Sequence, residues 1–150
     1  MTKELEKNKQ INGVLNNNLI QHEEGKGNHT INLRNRAVKD ISFLSKLMMD
    51  QDFAKIKVLN MSGNNLDDSG AEQIRDLLED KNQILKLDLS KNKLTQAGLQ
   101  VICSVLASGH SQLEELDISG NNIPDRNLKM LMGMLYENES IKDIKYTLYE

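Results

Sequence analysis

Apolar residues recur along the chain in a fixed order of spacings. Ile56, Leu59, Met61, Asn64 and Leu66 return 28 positions on as Ile84, Leu87, Leu89, Asn92 and Leu94, and 29 further on as Leu113, Leu116, Ile118, Asn121 and Ile123. The alternation of Leu59 with Met61, Leu87 with Leu89 and Leu116 with Ile118 is that of a short strand with one buried face. After each such strand comes a 3, 1 spacing that places three apolar residues on one helical face. These are Ile74, Leu77 and Leu78, then Ile102, Val105 and Leu106, then Leu131, Met134 and Leu135. Each period therefore predicts a strand, a turn and an amphipathic helix. A period of this length is the mark of a repeat architecture, in which neighbouring units bury each other's faces.

The pattern frays at both ends. A degenerate unit precedes the clear ones, with Ile31, Leu33 and Val38 in the strand slots, Arg36 in the Asn slot, and Phe43, Leu44, Leu47 and Met48 on its helix. At the far end Ile141, Ile144 and Tyr146 restart the strand and Tyr149 stands in the Asn slot. Bulky Tyr146 and Tyr149 suit a lid on the last unit, since terminal units expose a face with no neighbour. Residues 1–27 carry scattered apolar positions (Leu5, Ile11, Val14, Leu15, Leu19, Ile20) broken by Asn16 to Asn18 and by Gly25 and Gly27. They read as an N-terminal cap, formed by a short helix or a hairpin, or as a flexible tail.

The recurring spacing resembles that of leucine-rich repeat proteins of the ribonuclease-inhibitor type, whose units of 28 or 29 residues open on a strand and an Asn turn and continue into a helix. The resemblance implies an α/β fold: a short right-handed solenoid with parallel strands on the concave side and helices on the convex side. The units are expected at about 28–55, 56–83, 84–112 and 113–140, with a terminal strand over 141–150. In this reading Asn64, Asn92 and Asn121 form a ladder of buried amides that satisfy turn backbone in adjacent units. Asp67, Thr95 and Asp125 precede the helical periodicity and are expected as N-caps.

Composition narrows the function. The 150 residues carry 19 Lys+Arg against 22 Asp+Glu, a net charge of -3, and only 3% are aromatic. Neither a basic surface for phosphates nor stacking platforms for bases are on offer, so nucleic acid is not expected as a partner. No stretch approaches the roughly 20 apolar residues of a membrane span, and no leader is expected from the polar first thirty residues. The single Cys103 implies a reducing, cytoplasmic setting. It shares a helix slot with Arg75 and Met132 and is therefore expected near the surface.

Candidate chemistry is sparse. Asn65, Asp67, Ser69, Gly70 and Asp76 imitate a calcium-loop spacing, but the run begins with Asn, ends in Asp where a bidentate Glu is needed, and follows from the repeat register alone. His22, His29 and His110 lack ligand or triad spacing, and the triplets at Asn28, Asn60 and Asn138 are read as chance sequons. Phosphate-loop, hydrolase-elbow and zincin spacings do not occur. No enzyme activity, cofactor or metal is expected.

What remains is the outward side of the strands. Its columns run Thr30, Val58, Lys86, Glu115, Asp143; Asn32, Asn60, Asp88, Asp117, Lys145; and Arg34, Ser62, Ser90, Ser119, Thr147. The binding set expected on this face is Arg34, Asn60, Lys86, Asp88, Glu115, Asp117 and Lys145. Its acidic centre at Asp88, Glu115 and Asp117 favours a basic segment of a protein partner. The resemblance implies a protein–protein interaction module, whether adaptor, inhibitor or sensor. It also implies one alternative, a regulator of a small GTPase, because Ran GTPase activators are built from similar repeats; the Lys-, Asn- and Ile-rich composition suggests another, a secreted effector of an intracellular bacterium that binds a host protein in the host cytosol. A monomer is favoured. Met130 and Met132, where earlier units carry Gln73 and Val101 or Arg75 and Cys103, make the last helix unusually apolar, for contact with the chain's own terminus or with a partner.

Overall fold

The structure is a computed structural model and describes residues 20–22, 29–48, 55–79 and 83–147. Six strands form one sheet: β1 (Ile20–His22), β2 (His29–Asn32), β3 (Ile56–Asn60), β4 (Lys86–Asp88), β5 (Glu115–Asp117) and β6 (Asp143–Lys145). They lie in chain order, β1 antiparallel to β2 and every later pair parallel. Helix α1 (Ser42–Met48) follows β2, α2 (Asp68–Glu79) follows β3, α3 (Gln96–Ala107) follows β4 and α4 (Leu128–Glu137) follows β5. The helices form a second layer, with α2, α3 and α4 packed in succession.

The register follows the sequence period. Leu59 lies opposite Leu87, Leu87 opposite Leu116 and Leu116 opposite Ile144. Leu59, Met61, Leu87, Leu89, Leu116 and Ile118 are all buried, as are the helix positions Ile74, Leu77, Leu78, Ile102, Val105, Leu106, Leu131 and Met134. Burying a Leu or Ile side chain contributes about 1.5–3 kcal/mol, so this single seam of aliphatic residues supplies the core without large rings. In the first unit Ile31, Leu33, Val38 and Leu44 are buried, with Phe43, Leu47 and Met48 packed against them. The expected cap or tail at 1–27 is described only at β1, which pairs Ile20 with Ile31 as an antiparallel edge strand. Tyr149 lies outside the described residues. Tyr146 is half-buried and its hydroxyl donates to the carbonyls of Ile123 (3.2 Å) and Pro124 (3.1 Å).

Each unit turns on a left-handed residue after its strand: Asn35, Gly63, Lys91 and Gly120 have φ between 54° and 66°. One residue further on stand Arg36, Asn64, Asn92 and Asn121. Asn64 Nδ2 donates to the carbonyls of Leu33 and Met61, and its Oδ1 accepts from the N–H groups of Arg36 and Val38. Asn92 Nδ2 donates to Met61 and Leu89 and its Oδ1 accepts from the Leu66 N–H. Asn121 repeats the set with Leu89, Ile118 and the Leu94 N–H. Each Asn thus ties its own turn to the preceding unit, and the carbonyls of Met61 and Leu89 are shared by two consecutive side chains.

Three expectations are corrected. Cys103 is buried, 5% exposed, because α4 covers the slot that holds half-exposed Arg75 one unit earlier; burial pushes its thiol up to about 11. Asp125 does not cap α4. It opens a single 3-10 turn, Asp125–Asn127, after Pro124, and Asn127 takes the cap position without a side-chain cap bond. Ser62 and Ser90 are buried and not part of an open face.

Candidate functional site

The strands β3 to β6 frame a shallow concavity of about 200 Å³ on the side away from the helices. It is lined by Val58, Asn60, Lys86, Asp88, Glu115, Asp117, Asp143 and Lys145, with Leu87 and Leu116, each only 2% exposed, between them. Strand register alone assembles this set, since Lys86 lies opposite Glu115 and Asp88 opposite Asp117, and β6 then adds Asp143 beside Glu115 and Lys145 beside Asp117. Four carboxylates face two ammonium groups, so the concavity is acidic. Lys86 Nζ and Glu115 Oε1 are 2.7 Å apart with both side chains about half exposed. An exposed pair of this kind contributes little to stability, but it spends one of the two cations on a neighbour. Asp88, Asp117 and Asp143 then set the sign of the field.

The middle column is held by its own turn. Asn60 Oδ1 accepts from the N–H and hydroxyl of Ser62 at 3.0 and 2.8 Å. Asp88 Oδ1 takes the same two bonds from Ser90 at 2.9 and 2.6 Å, and Asp117 Oδ1 from Ser119 at 3.0 and 2.6 Å. With these bonds Ser62 and Ser90 lie buried, while Ser119 stays half-buried. One carboxylate oxygen anchors the turn, and the other belongs to no bond within it. Asn60 does the same structural work without charge, so the acid at 88 and 117 is not demanded by the turn.

Arg34 does not join the set. Strand β2 ends at Asn32, and Arg34 lies in the following turn, exposed, its N–H bonded to Asn32 Oδ1 at 3.2 Å. Asp143 was missing from the expected set. It occupies the Lys86–Glu115 column and could have been included from the register.

Elsewhere the polar groups serve the fold. Asp67 Oδ1 accepts from Ser69 N–H, Ser69 hydroxyl and Gly70 N–H at the start of α2, and the Ser69 hydroxyl above all holds its carboxyl below the usual value. Asp68 reaches the next unit: its carboxylate accepts from the Thr95 N–H, the Thr95 hydroxyl and the Gly98 N–H. Thr95 in turn caps α3 by accepting from the Ala97 N–H. Sequence reasoning missed Asp68, whose only signal is the Gly98 slot into which its carboxylate reaches. His29 lies on β2 and His110 in the loop after α3, where Nδ1 meets the Ser108 hydroxyl at 3.1 Å. Among the described residues no three His, Cys, Asp or Glu side chains gather as metal ligands, and no helix among them is long and apolar enough to cross a membrane.

A sheet of parallel strands, each followed by a turn on a buried Asn and a covering helix, is the construction of a leucine-rich repeat array. The leucine-rich repeat family matches residues 54–74, 81–103 and 112–134, and the chain is a leucine-rich repeat protein. RAN GTPase-activating protein 2 of Arabidopsis thaliana is 30% identical over 94 residues, which are 63% of this chain and 17% of that protein. The chain therefore spans about a sixth of the length of that relative. The solved structure of the leiomodin-1 actin-binding site 2 superposes with a TM-score of 0.65 at 21% identity, covering 81% of this chain and 71% of that one; at this identity the likeness is one of fold. Leucine-rich repeats point to a protein-interaction module.

Proposed function

We propose that the chain binds a Lys- or Arg-rich segment of a protein partner in the concavity over β3 to β6. The observation that carries this reading is the excess of carboxylates over ammonium groups on this face. The methylene stems of Lys or Arg would lie over Val58 while their charged heads meet Asp88, Asp117 and Asp143. The face holds no aromatic side chain, and interface hot spots are rich in Trp, Tyr and Arg, so the anchoring rings or guanidinium groups must come from the partner. Complementary charge of this kind acts on association rate and partner choice, and weakens as salt rises.

A second reading is regulation of a small GTPase. It is favoured by the 30% identity with a protein named as a Ran GTPase activator. The two readings meet if the GTPase presents a basic segment.

The test neutralises charge and keeps the turn. Asp88→Asn with Asp117→Asn retains the Oδ1 acceptor that Asn60 already supplies in the same slot. Partner recovery from a cell extract is expected to fall at least about ten-fold, the equivalent of about 1.4 kcal/mol. Equal recovery by both forms removes the strand face. Stimulated GTP hydrolysis across a panel of small GTPases supports the second reading, and no stimulation ends it.

A further inference from the structure

The last unit exposes what the others cover. Leu78 and Leu106 are 2% and 0% exposed, and Leu135 in the same slot is 38%. Cys103 is 5% exposed, and Met132 in its slot is 60%; beside them Tyr136 is 91% exposed. In the preceding units the Leu135 slot is closed, whereas the Met132 slot holds half-exposed Arg75 and then buried Cys103, and the Tyr136 slot holds exposed Glu79 and then half-buried Ala107. Ile144 and Tyr146, which take the slots of buried Leu116 and Ile118, are likewise only half-buried. Among the described residues, α4 and β6 thus close one end of the core with partly exposed apolar side chains, and β6 is the edge of the sheet.

The edge is specific about what can pair with it. The Asp143 N–H donates to the Glu114 carbonyl and the Lys145 carbonyl accepts from the Ile118 N–H, so residues 143 and 145 face β5. Backbone groups of successive strand residues alternate in direction, which turns the N–H and C=O of Ile144 to the outer edge. An antiparallel strand centred on Ile144 would exchange both bonds there. If that strand is a second β6, a two-fold axis through Ile144 sets Asp143 of each copy opposite Lys145 of the other. A two-fold axis through either neighbour would set like charges face to face, Asp143 on Asp143 or Lys145 on Lys145. Charge on an edge strand ordinarily discourages pairing; here the same two charges are self-complementary in the register centred on Ile144 and opposed in the neighbouring ones. The axis is perpendicular to the sheet, so α4 of one copy comes beside α4 of the other on the helical side, where Met132, Leu135 and Tyr136 face each other. Such a contact is isologous, as in most dimers.

We infer that the chain forms a two-fold dimer through β6 and α4, where the sequence left the oligomeric state open with a monomer favoured. The inference does not rest on the proposed basic partner, since it concerns self-association in that partner's absence. Sedimentation velocity of the full chain at about 100 µM is expected to show twice the monomer mass, because a dimer with a Kd of roughly 1 µM is then mostly formed. Asp143→Lys and Lys145→Asp each place like charges across the axis, and each is expected to weaken the dimer at least about ten-fold. An equimolar mixture of the two variants re-forms a dimer, because every facing pair is again unlike. Met132→Lys with Tyr136→Lys, at exposed positions, gives a monomer with unchanged circular dichroism, and decides the matter if a β6 variant does not fold. A wild-type monomer at this concentration overturns the inference, as does a dimer that survives both the charge and the helix substitutions.

Discussion

Replacing Asn92 by Ala examines the ladder at its centre. The side chain is 7% exposed and binds Leu66 N–H through Oδ1, and the carbonyls of Met61, Leu89 and Ser90 through Nδ2. The losses are unequal. Met61 keeps a bond from Asn64, Leu89 keeps one from Asn121, and Ser90 keeps the Gly63 N–H; the Leu66 N–H is the group left without its partner. One orphaned buried donor costs about 1–3 kcal/mol and each lost bond between satisfied groups about 0.5–1.5 kcal/mol. Asn92→Ala is therefore expected to destabilise by about 3–5 kcal/mol, against about 0.5 kcal/mol or less for Asn122→Ala at an exposed neighbour. Urea unfolding followed by circular dichroism reads this as a lower midpoint, with a lower slope if the array splits into separately melting halves. Sharing gives a sharper signature. Only the Asn64→Ala, Asn92→Ala double variant strips the Met61 carbonyl of both side-chain bonds, so it should exceed the sum of the single losses by about 1 kcal/mol. A cost below about 1 kcal/mol for Asn92→Ala, or strict additivity, refutes the shared ladder.

Three further outcomes follow from the turns and the core. Gly63→Ala meets both a left-handed backbone and the Asn35 side chain and should cost about 1–3 kcal/mol, whereas Gly133→Ala in α4 meets nothing within 4 Å and should stabilise by about 0.5–1 kcal/mol; paired thermal melts check both signs. Cys103, with its thiol pushed up from 9.0 to about 11 by burial, should react with a disulfide reagent at pH 8 on the order of a hundred-fold more slowly in the folded chain than in urea; equal rates would mean that the helix does not cover it. Asp67 is depressed below 3.8 in the folded chain, so its contribution at the start of α2 is present above that pH and is lost as pH falls through its lower folded value. A carboxyl resonance titrating at or above 3.8 contradicts this.

The period made the sheet register, the buried faces and the Asn turns legible, because each is a one-residue slot repeated three times. Slots whose surroundings change from unit to unit were not legible. Arg75 and Cys103 align in sequence, but α4 covers only the second. Ser62 and Ser90 alternate outward as strand residues should, yet lie buried where Asn60 and Asp88 accept from their N–H and hydroxyl, while Ser119, bonded in the same way to Asp117, stays half-buried. Pro124 replaces a cap with a 3-10 turn, which no periodicity anticipates. For the candidate face, its acidic centre followed from register, while Arg34 was lost to a strand that ends at Asn32 and Asp143 was left out although it shares the column of Lys86 and Glu115.

The central claim is that the acidic strand face receives a basic segment, and amide chemical-shift mapping with a short Arg- and Lys-rich peptide tests it most directly. The account predicts shifts at Asn60, Asp88, Asp117 and Asp143 that fade with added salt and are lost in the Asp88→Asn, Asp117→Asn variant. Shifts confined to the helices, or shifts that the variant leaves unchanged, would contradict it.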